Sequence, residues 1–338
     1  MKMSNLHLAS VAALGLGMFS TAGAVDLNGA GATFPYPIYS KWFFEFNKET
    51  KNQINYQSIG SGGGIRQVTE GTVDFGASDA PMTDEQIAAV KGGIFHLPTV
   101  MGAVAVAYNV PGLKSLKLSS EVLADMFLGK ITNWNDPRIA ADNAGEKLPD
   151  VAVNIAHRSD GSGTSNIFTN YLSKVSPEWQ SKVGFGTAVK WPVGVGGKGN
   201  EGVAGLIKQI PGTIGYVELA YAHQNKIPYA MLKNAAGNYV DPTIESTTAA
   251  AAAALANMPD DFRVMITNAP GAEAYPICGF TWLLVHPEYA DKAKGKTLVE
   301  FLHWAYAKGE PMASALDYAP LPADLIKKID ARIAQIKY

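Results

Sequence analysis

Segments with the pattern of β-strands alternate with segments with the pattern of helices along the whole chain. The strand candidates are short apolar runs, found at 54–59, 73–77, 100–108, 151–156, 214–217 and 281–285. The helix candidates repeat apolar residues every three or four positions, at 38–46, 167–172 and 326–336. The alanine-rich stretch 246–258 is predicted to be a surface helix that Pro259 ends. This alternation predicts an α/β protein.

The first 24 residues have the pattern of a secretory signal peptide. Lys2 precedes an apolar run at 8–19, and Ala22-Gly23-Ala24 matches the small-residue cleavage site. We expect the mature chain to begin at Val25, which leaves 314 of the 338 residues (338 less 24). That length exceeds one comfortable hydrophobic core, so two domains are expected. Neither this apolar run nor any later one reaches the roughly 18 residues of a membrane span, and no cysteine lies near the cleavage site. The sequence therefore predicts an exported, soluble protein without a lipid anchor.

Charge and cysteine content exclude several classes of protein. The formal net charge is −2, and the sequence has no run of five like charges. A basic stripe is typical of nucleic-acid binding, so that class is disfavoured. Cys278 is the single cysteine, which excludes an intramolecular disulfide and a cysteine-rich zinc site. We expect Cys278 to be a small buried apolar residue.

Three glycine-rich turns each join an extended segment to an amphipathic helix. Their sequences are LNGAGATFPYP at 27–37, SIGSGGGIRQV at 58–68 and RSDGSGTSNIF at 158–168. A helix N-terminus leaves backbone N–H groups unpaired and carries a partial positive charge, which favours anions. The hydroxyl residues of these turns are Thr33, Ser61, Ser162 and Thr164. Each alone is more simply a helix N-cap, but three similar turns can converge on one anion.

Two enzyme classes fit the sequence poorly. Gly161-Ser162-Gly163 lacks the G-x-S-x-G spacing of a nucleophilic serine, and no histidine has a recognisable triad context. The segment 295–297 ends like a Walker A loop, but Ala290 stands where the first glycine belongs. The segment 197–202 matches G-x-G-x-x-G without a preceding β-branched run, and both segments are interpreted as turns.

One arginine and two aspartates complete the candidate site. Arg158 can neutralise a buried anion, and Asp160 is either its surface partner or the group that holds it in place. Asp79 directly follows the apolar run 73–77, at the sheet edge where α/β ligand sites open, although a plain turn residue would also fit there. A carboxylate accepts the O–H of hydrogen phosphate but repels the bare oxygen of sulfate. That difference is worth several kcal/mol, or about a thousandfold in affinity.

Taken together, these segments closely resemble the periplasmic phosphate-binding proteins of ABC-type phosphate transporters. The resemblance covers essentially the whole mature chain. Its segments are GAGATFPYPIYSKW (29–42), GSGGGIRQV (60–68), VDFGASDAP (73–81), LGKITNWND (128–136), RSDGSGTS (158–165), WPVGVGGKGNEGV (191–203), PGTIGYVE (211–218) and DYAPLP (317–322).

The resemblance implies a type II periplasmic binding protein fold with two lobes. Each lobe would be a mixed sheet flanked by helices, and the ligand would lie in the cleft between them. The implied division places 25–102 plus 277–338 in lobe 1 and 103–276 in lobe 2, after the signal peptide at 1–24.

The resemblance also implies which residues bind phosphate. They are Thr33, Phe34 through its backbone, Ser61, Asp79, Arg158, Ser162, Gly163 and Thr164, with Asp160 as the partner of Arg158. The implied protein is a periplasmic monomer that delivers phosphate to membrane permease subunits, with no cofactor, metal or catalytic activity. Binding of arsenate, sulfate or molybdate, or a secreted phosphatase, remain the alternatives.

Overall fold

The computed structural model describes residues 24–338, and its central element is the 15-residue strand β4 (Phe95–Asn109). Along Phe95–Ala103 this strand pairs antiparallel with β11 (Cys278–Val285), and along Val104–Asn109 it pairs antiparallel with β8 (Thr213–Glu218). All but its two end residues are buried, which explains why its sequence has a continuous apolar run at 100–108 rather than an alternating pattern. One strand thus runs through both halves of the sheet. The predicted signal peptide lies outside the described residues, apart from Ala24.

Over residues 24–338, the main sheet has eight strands in the order β2-β1-β3-β11-β4-β8-β6-β7. Its other members are β1 (Asp26–Gly31), β2 (Gln53–Ser58), β3 (Phe75–Ser78), β6 (Asn154–Arg158) and β7 (Val195–Gly197). In one half β1 is parallel to β2 and β3, and in the other half β6 is parallel to β7 and β8. A small second sheet is formed by β5 (Lys117–Leu118), β9 (Met231–Lys233) and β10 (Tyr239–Val240).

Helices follow most of the strands. They are α1 (Tyr36–Thr50), α2 (Ser61–Thr69), α3 (Asp84–Ala88), α4 (Ser120–Phe127), α5 (Pro137–Asp142), α6 (Gly163–Val175), α7 (Pro177–Lys182), α8 (Gly199–Gln209), α9 (Leu219–Asn225), α10 (Ile244–Ala256), α11 (Lys292–Trp304) and α12 (Ala323–Ile333). Short π and 3-10 turns occupy Ala305–Gly309, Glu310–Met312 and Ser314–Leu316. The apolar face of α1 packs on α11, where the rings of Phe43 and Phe301 have centroids 5.3 Å apart.

The α/β prediction is confirmed, and each strand candidate overlaps an observed strand. The buried position predicted for Cys278 is also confirmed. The run 151–156 was placed too early, because β6 begins at Asn154 and ends at Arg158. Arg158 is therefore the last residue of a strand rather than the start of a loop. Its register is fixed by parallel pairing with β7, which a short apolar run does not reveal.

Two segments interpreted as turns belong to regular secondary structure. The alanine-rich stretch is a helix as predicted, but one side of it is buried. The segment 197–202 joins β7 to α8, and 295–297 lies inside α11. On α10, the side chains of Ala250 and Ala251 are buried because the helix packs against β4 and β11. Small side chains allow this close approach to the sheet.

Candidate anion-binding site

The carboxyl ends of parallel strands from both halves of the sheet meet in the interior. The three glycine-rich turns follow β1, β2 and β6, and they lead into α1, α2 and α6. Ligand sites of α/β sheets open at such strand ends. The structure brings the three turns together in one buried cluster, whose hydroxyl side chains are at most 2% exposed.

Ser61 joins two of the turns. Its Oγ accepts hydrogen bonds from the backbone N–H of Asp79 and of Gly163, each at 3.1 Å. Next to it, the N–H of Gly62 donates to the carbonyl oxygen of Gly161 at 2.9 Å. Because Ser61 begins α2 and Gly163 begins α6, the N-termini of these two helices are in direct contact. Their partial positive charges therefore act on the same small volume.

Thr33 and Thr164 are connected through Asn200, near the start of α8. The Nδ2 of Asn200 donates to Thr33 Oγ1 at 2.8 Å and to Thr164 Oγ1 at 3.2 Å. Its backbone N–H also donates to Thr33 Oγ1, at 3.2 Å. The Oδ1 of Asn200 accepts from the backbone N–H of Glu218 at 2.9 Å. The first and third turns are thus held together by one buried amide side chain.

Arg158 is the cation of the cluster. Its side chain is 1% exposed and forms a two-pronged ion pair with Asp160, with Nε–Oδ1 at 2.8 Å and Nη2–Oδ2 at 2.5 Å. The remaining nitrogen, Nη1, lies 3.4 Å from Thr164 Oγ1. Burial opposes ionisation of Asp160, but the hydrogen bonds and the charge of Arg158 outweigh it and lower its pKa. Asp160 thus fixes the guanidinium plane and leaves Nη1 directed at the hydroxyl cluster.

Asp79 is a buried carboxyl group beside these donors. Its Oδ1 accepts from the hydroxyl of Thr281 at 2.8 Å, and its Oδ2 lies 3.4 Å from Ser61 Oγ. Burial raises the pKa of Asp79 to about 7, against the opposing effects of the Thr281 hydrogen bond and the charge of Arg158. Its protonation state is therefore poised to change near neutral pH.

The other predicted site residues lie on the same helix N-termini. Ser162 is the N-cap of α6, where its Oγ accepts from the N–H of Ser165 at 3.0 Å. The hydroxyl proton of Ser162 remains free to donate. Within residues 24–338, the backbone N–H groups of Phe34 and Thr164 donate to no acceptor. These amides are available to a ligand, as expected for Thr164 in the first turn of α6, whereas Phe34 lies in the turn just before α1.

Three residues of the cluster were missed by the sequence analysis. Glu218, buried at the end of β8, occupies the same kind of strand-end position as Asp79, so the same argument would have found it. Asn200 lies in the glycine-rich segment that was interpreted as a turn, and recognising the strand–helix junction would have indicated it. Thr281 lies within β11, and no local pattern distinguishes it from its neighbours.

Among the helices of residues 24–338, none combines the length and the hydropathy that crossing a bilayer requires. Over the same residues, no group of three or more histidine, cysteine, aspartate or glutamate side chains is arranged to hold a metal ion.

Comparison with known proteins identifies close relatives. Residues 20–308 match the family model of the PBP superfamily domain. The chain is 49% identical to the phosphate-binding protein PstS of Xylella fastidiosa over 310 residues, which cover 91% of this chain and 85% of the relative. It is also 49% identical to PstS of Pasteurella multocida over 315 residues, covering 92% and 91% of the two chains. For PstS of Haemophilus influenzae the identity is 46% over 322 residues, covering 94% and 96%.

Solved structures share the fold at lower sequence identity. A high affinity periplasmic phosphate-binding protein, PfluDING, bound with phosphate matches with a TM-score of 0.71 and 22% identity, covering 91% of this chain and 93% of that one. A human phosphate binding apolipoprotein matches with a TM-score of 0.73 and 20% identity, covering 90% and 94%. These likenesses confirm the predicted two-lobed periplasmic binding protein fold.

Proposed function

Since this chain belongs to the PstS phosphate-binding proteins of the PBP superfamily, we propose that it captures inorganic phosphate in the periplasm. It delivers the phosphate to the membrane permease subunits of an ABC-type importer. It acts as a monomer and performs no covalent chemistry. The signal peptide pattern at 1–24 supports the periplasmic location.

One observation carries this proposal. The structure gathers hydroxyl groups, free backbone amides and a guanidinium group in one buried cluster, with the carboxyl group of Asp79 beside them. Donors in such number suit an anion with several acceptor oxygens, and the buried Arg158 compensates its charge. The carboxyl group suits an anion that also carries a proton. Hydrogen phosphate has both properties, whereas sulfate lacks the proton at neutral pH.

The proposed ligand set is the one inferred from the sequence. It comprises Thr33, Phe34, Ser61, Asp79, Arg158, Ser162, Gly163 and Thr164. Each charge-assisted hydrogen bond to phosphate contributes roughly 1.5–3 kcal/mol. Asp160 acts through Arg158, since both of its oxygens receive hydrogen bonds from that guanidinium group.

Closure of the two lobes accompanies binding in this proposal. Under the division into 25–102 plus 277–338 and 103–276, the hydrogen bonds Ser61–Gly163 and Thr33–Asn200 connect different lobes. An open form would break these bonds and admit phosphate. The bound anion then stabilises the closed form, because it contacts donors from both lobes at once.

Calorimetric titration of the dialysed protein tests the proposal. We expect saturable binding of one phosphate per chain and sulfate binding weaker by about a thousandfold. Arsenate also carries a proton, so the same titration with arsenate measures discrimination by size rather than by charge. A lack of phosphate binding, or stronger binding of sulfate or molybdate, would contradict the proposed ligand. Turnover of a phosphomonoester by the purified protein would contradict the proposed absence of catalysis.

A further inference from the structure

Three hydroxyl groups of the cluster are already saturated as hydrogen-bond acceptors, those of Thr33, Ser61 and Thr164. A hydroxyl oxygen has two lone pairs and one proton. Thr33 Oγ1 accepts from two N–H groups of Asn200, and Ser61 Oγ accepts from the N–H groups of Asp79 and Gly163. With both lone pairs engaged by nitrogen donors, neither hydroxyl can accept from a ligand. The proton of Ser61 is directed at Asp79 Oδ2, 3.4 Å away, and the proton of Thr33 is left for the ligand.

Thr164 shows the same arrangement. Its Oγ1 lies 3.2 Å from Asn200 Nδ2 and 3.4 Å from Arg158 Nη1, and both of these nitrogens can only donate. Its proton is therefore also left for the ligand. Asn200 is thus the shared donor of two hydroxyls, one from the first turn and one from the third.

The orientation of the Asn200 amide follows from its fourth contact. The backbone N–H of Glu218 donates to Oδ1 at 2.9 Å, and a backbone nitrogen cannot accept. The oxygen end of the amide must therefore face Glu218, and the NH2 end must face the two threonines. Asn200 is 0% exposed, so water does not compete for these positions.

We propose that Asn200 is a specificity-determining positioning residue that fixes the hydroxyl protons of Thr33 and Thr164 toward the bound anion. The inference rests on the proposed phosphate-binding function and deepens it. The site then offers donors in a fixed arrangement, with Asp79 as the acceptor for the one proton of the ligand. Rotation of either hydroxyl would replace a donor by lone pairs facing a phosphate oxygen.

Asn200 also links this arrangement to lobe closure. Under the proposed lobe division, Asn200 and Thr33 lie on different lobes, so their hydrogen bonds form only when the lobes meet. The Thr33 hydroxyl is therefore free to rotate in an open form and is fixed on closure. Closure thus completes the donor set in addition to excluding water.

A thermodynamic cycle with threonine variants tests this role. We expect Asn200→Ala to weaken phosphate binding by about ten- to a hundredfold, since two hydroxyl donors lose their fixed orientation. In a Thr33→Val, Thr164→Val background the hydroxyls are absent, and the same Asn200 substitution should change phosphate affinity by less than about threefold. Equal effects in both backgrounds would overturn the proposal, because Asn200 would then act through the scaffold alone.

A control and a second variant keep the test decisive. Asn234→Ala removes another buried asparagine, one that donates to the carbonyl groups of Gly271, Ala272 and Ala274. It should lower the melting temperature and leave phosphate affinity unchanged. If Asn200→Ala does not fold, Asn200→Ser replaces it in both backgrounds with the same expected ratio. Wild-type protein that binds no phosphate would contradict the proposed function, whereas wild-type binding with an additive cycle contradicts only the role of Asn200.

Discussion

The hydroxyl oxygen of Ser61 lies 3.1 Å from the backbone nitrogen of Gly163, although 102 positions separate the two residues in the sequence. This hydrogen bond joins the first residues of α2 and α6. A Cβ atom on Gly163 would lie 2.4 Å from Ser61 Oγ and 2.6 Å from the Cβ of Asp79. The contact between the two helix N-termini therefore requires glycine at position 163.

Substitution of Gly163 by alanine tests whether this contact is needed for binding. We expect Gly163→Ala to weaken phosphate binding by about a hundredfold, because displacement of Ser61 and Asp79 removes about two ligand hydrogen bonds. The apo protein should still fold, since relaxation of the two lobes relieves the clash. Calorimetry measures the affinity, and circular dichroism measures the melting temperature.

Gly205→Ala is the matched control for Gly163→Ala. Gly205 lies within α8, and no atom lies within 4 Å of the position that its Cβ would take. Alanine there should raise the free energy of unfolding by roughly 0.5–1 kcal/mol and leave phosphate affinity unchanged. Wild-type affinity in Gly163→Ala would show that phosphate binding does not depend on the contact between α2 and α6.

Asp79→Asn tests the selection of a protonated anion. We expect the amide to lower phosphate affinity and to raise sulfate affinity, so that the preference for phosphate falls by about a hundredfold or more. Competition titrations with the two anions measure this ratio. Asp84→Asn removes a carboxylate whose side chain is 85% exposed, and it controls for the change in net charge. A phosphate preference that survives Asp79→Asn would assign the discrimination to other groups.

The pH dependence of sulfate binding gives an independent test of Asp79. Burial raises the pKa of Asp79 to about 7, so the group gains a proton as the pH falls from alkaline values through 7. A protonated carboxyl group donates a hydrogen bond, which suits the bare oxygen of sulfate. Sulfate affinity should therefore rise by up to about tenfold for each pH unit as the pH falls toward 7, and level off below about pH 7, where Asp79 is already protonated. The slope should disappear in Asp79→Asn, and a slope that remains would point to another titrating group.

The fold was largely predictable because its elements follow from local patterns. Apolar runs of strand length alternate with helix-period segments, and the site residues Asp79 and Arg158 stand at strand ends next to such runs. The partners of these residues were not predictable in the same way. Thr281 reaches Asp79 across 202 positions and Asn200 reaches Thr33 across 167, so their roles arise from strand order rather than from local sequence. The short strand β7 was missed because two of its three residues are glycine, which is unfavourable in strands.

The buried carboxyl group of Glu218 provides a prediction about stability. Tyr318 has one hydroxyl proton, yet its oxygen lies 2.6 Å from the carbonyl oxygen of Phe34 and 3.0 Å from Glu218 Oε2. When that proton is donated to Phe34, a hydrogen bond to Glu218 requires a proton on the carboxyl group. Burial raises the pKa of Glu218 well above its usual value, which agrees with a protonated group in the folded state.

Glu218→Gln should therefore stabilise the apo protein at alkaline pH. In the wild type, the folded state retains the Glu218 proton above the unfolded pKa of about 4.3. The free energy of unfolding therefore falls as the pH rises from the unfolded pKa of Glu218 to its folded pKa. An amide carries donor hydrogens at every pH, can donate to Tyr318, and can still accept from the backbone N–H of Ala220. Urea unfolding at pH 5 and pH 8 should show that Glu218→Gln gains stability relative to the wild type as the pH rises. A constant difference between the two proteins across this range would mean that Glu218 does not take up a proton on folding.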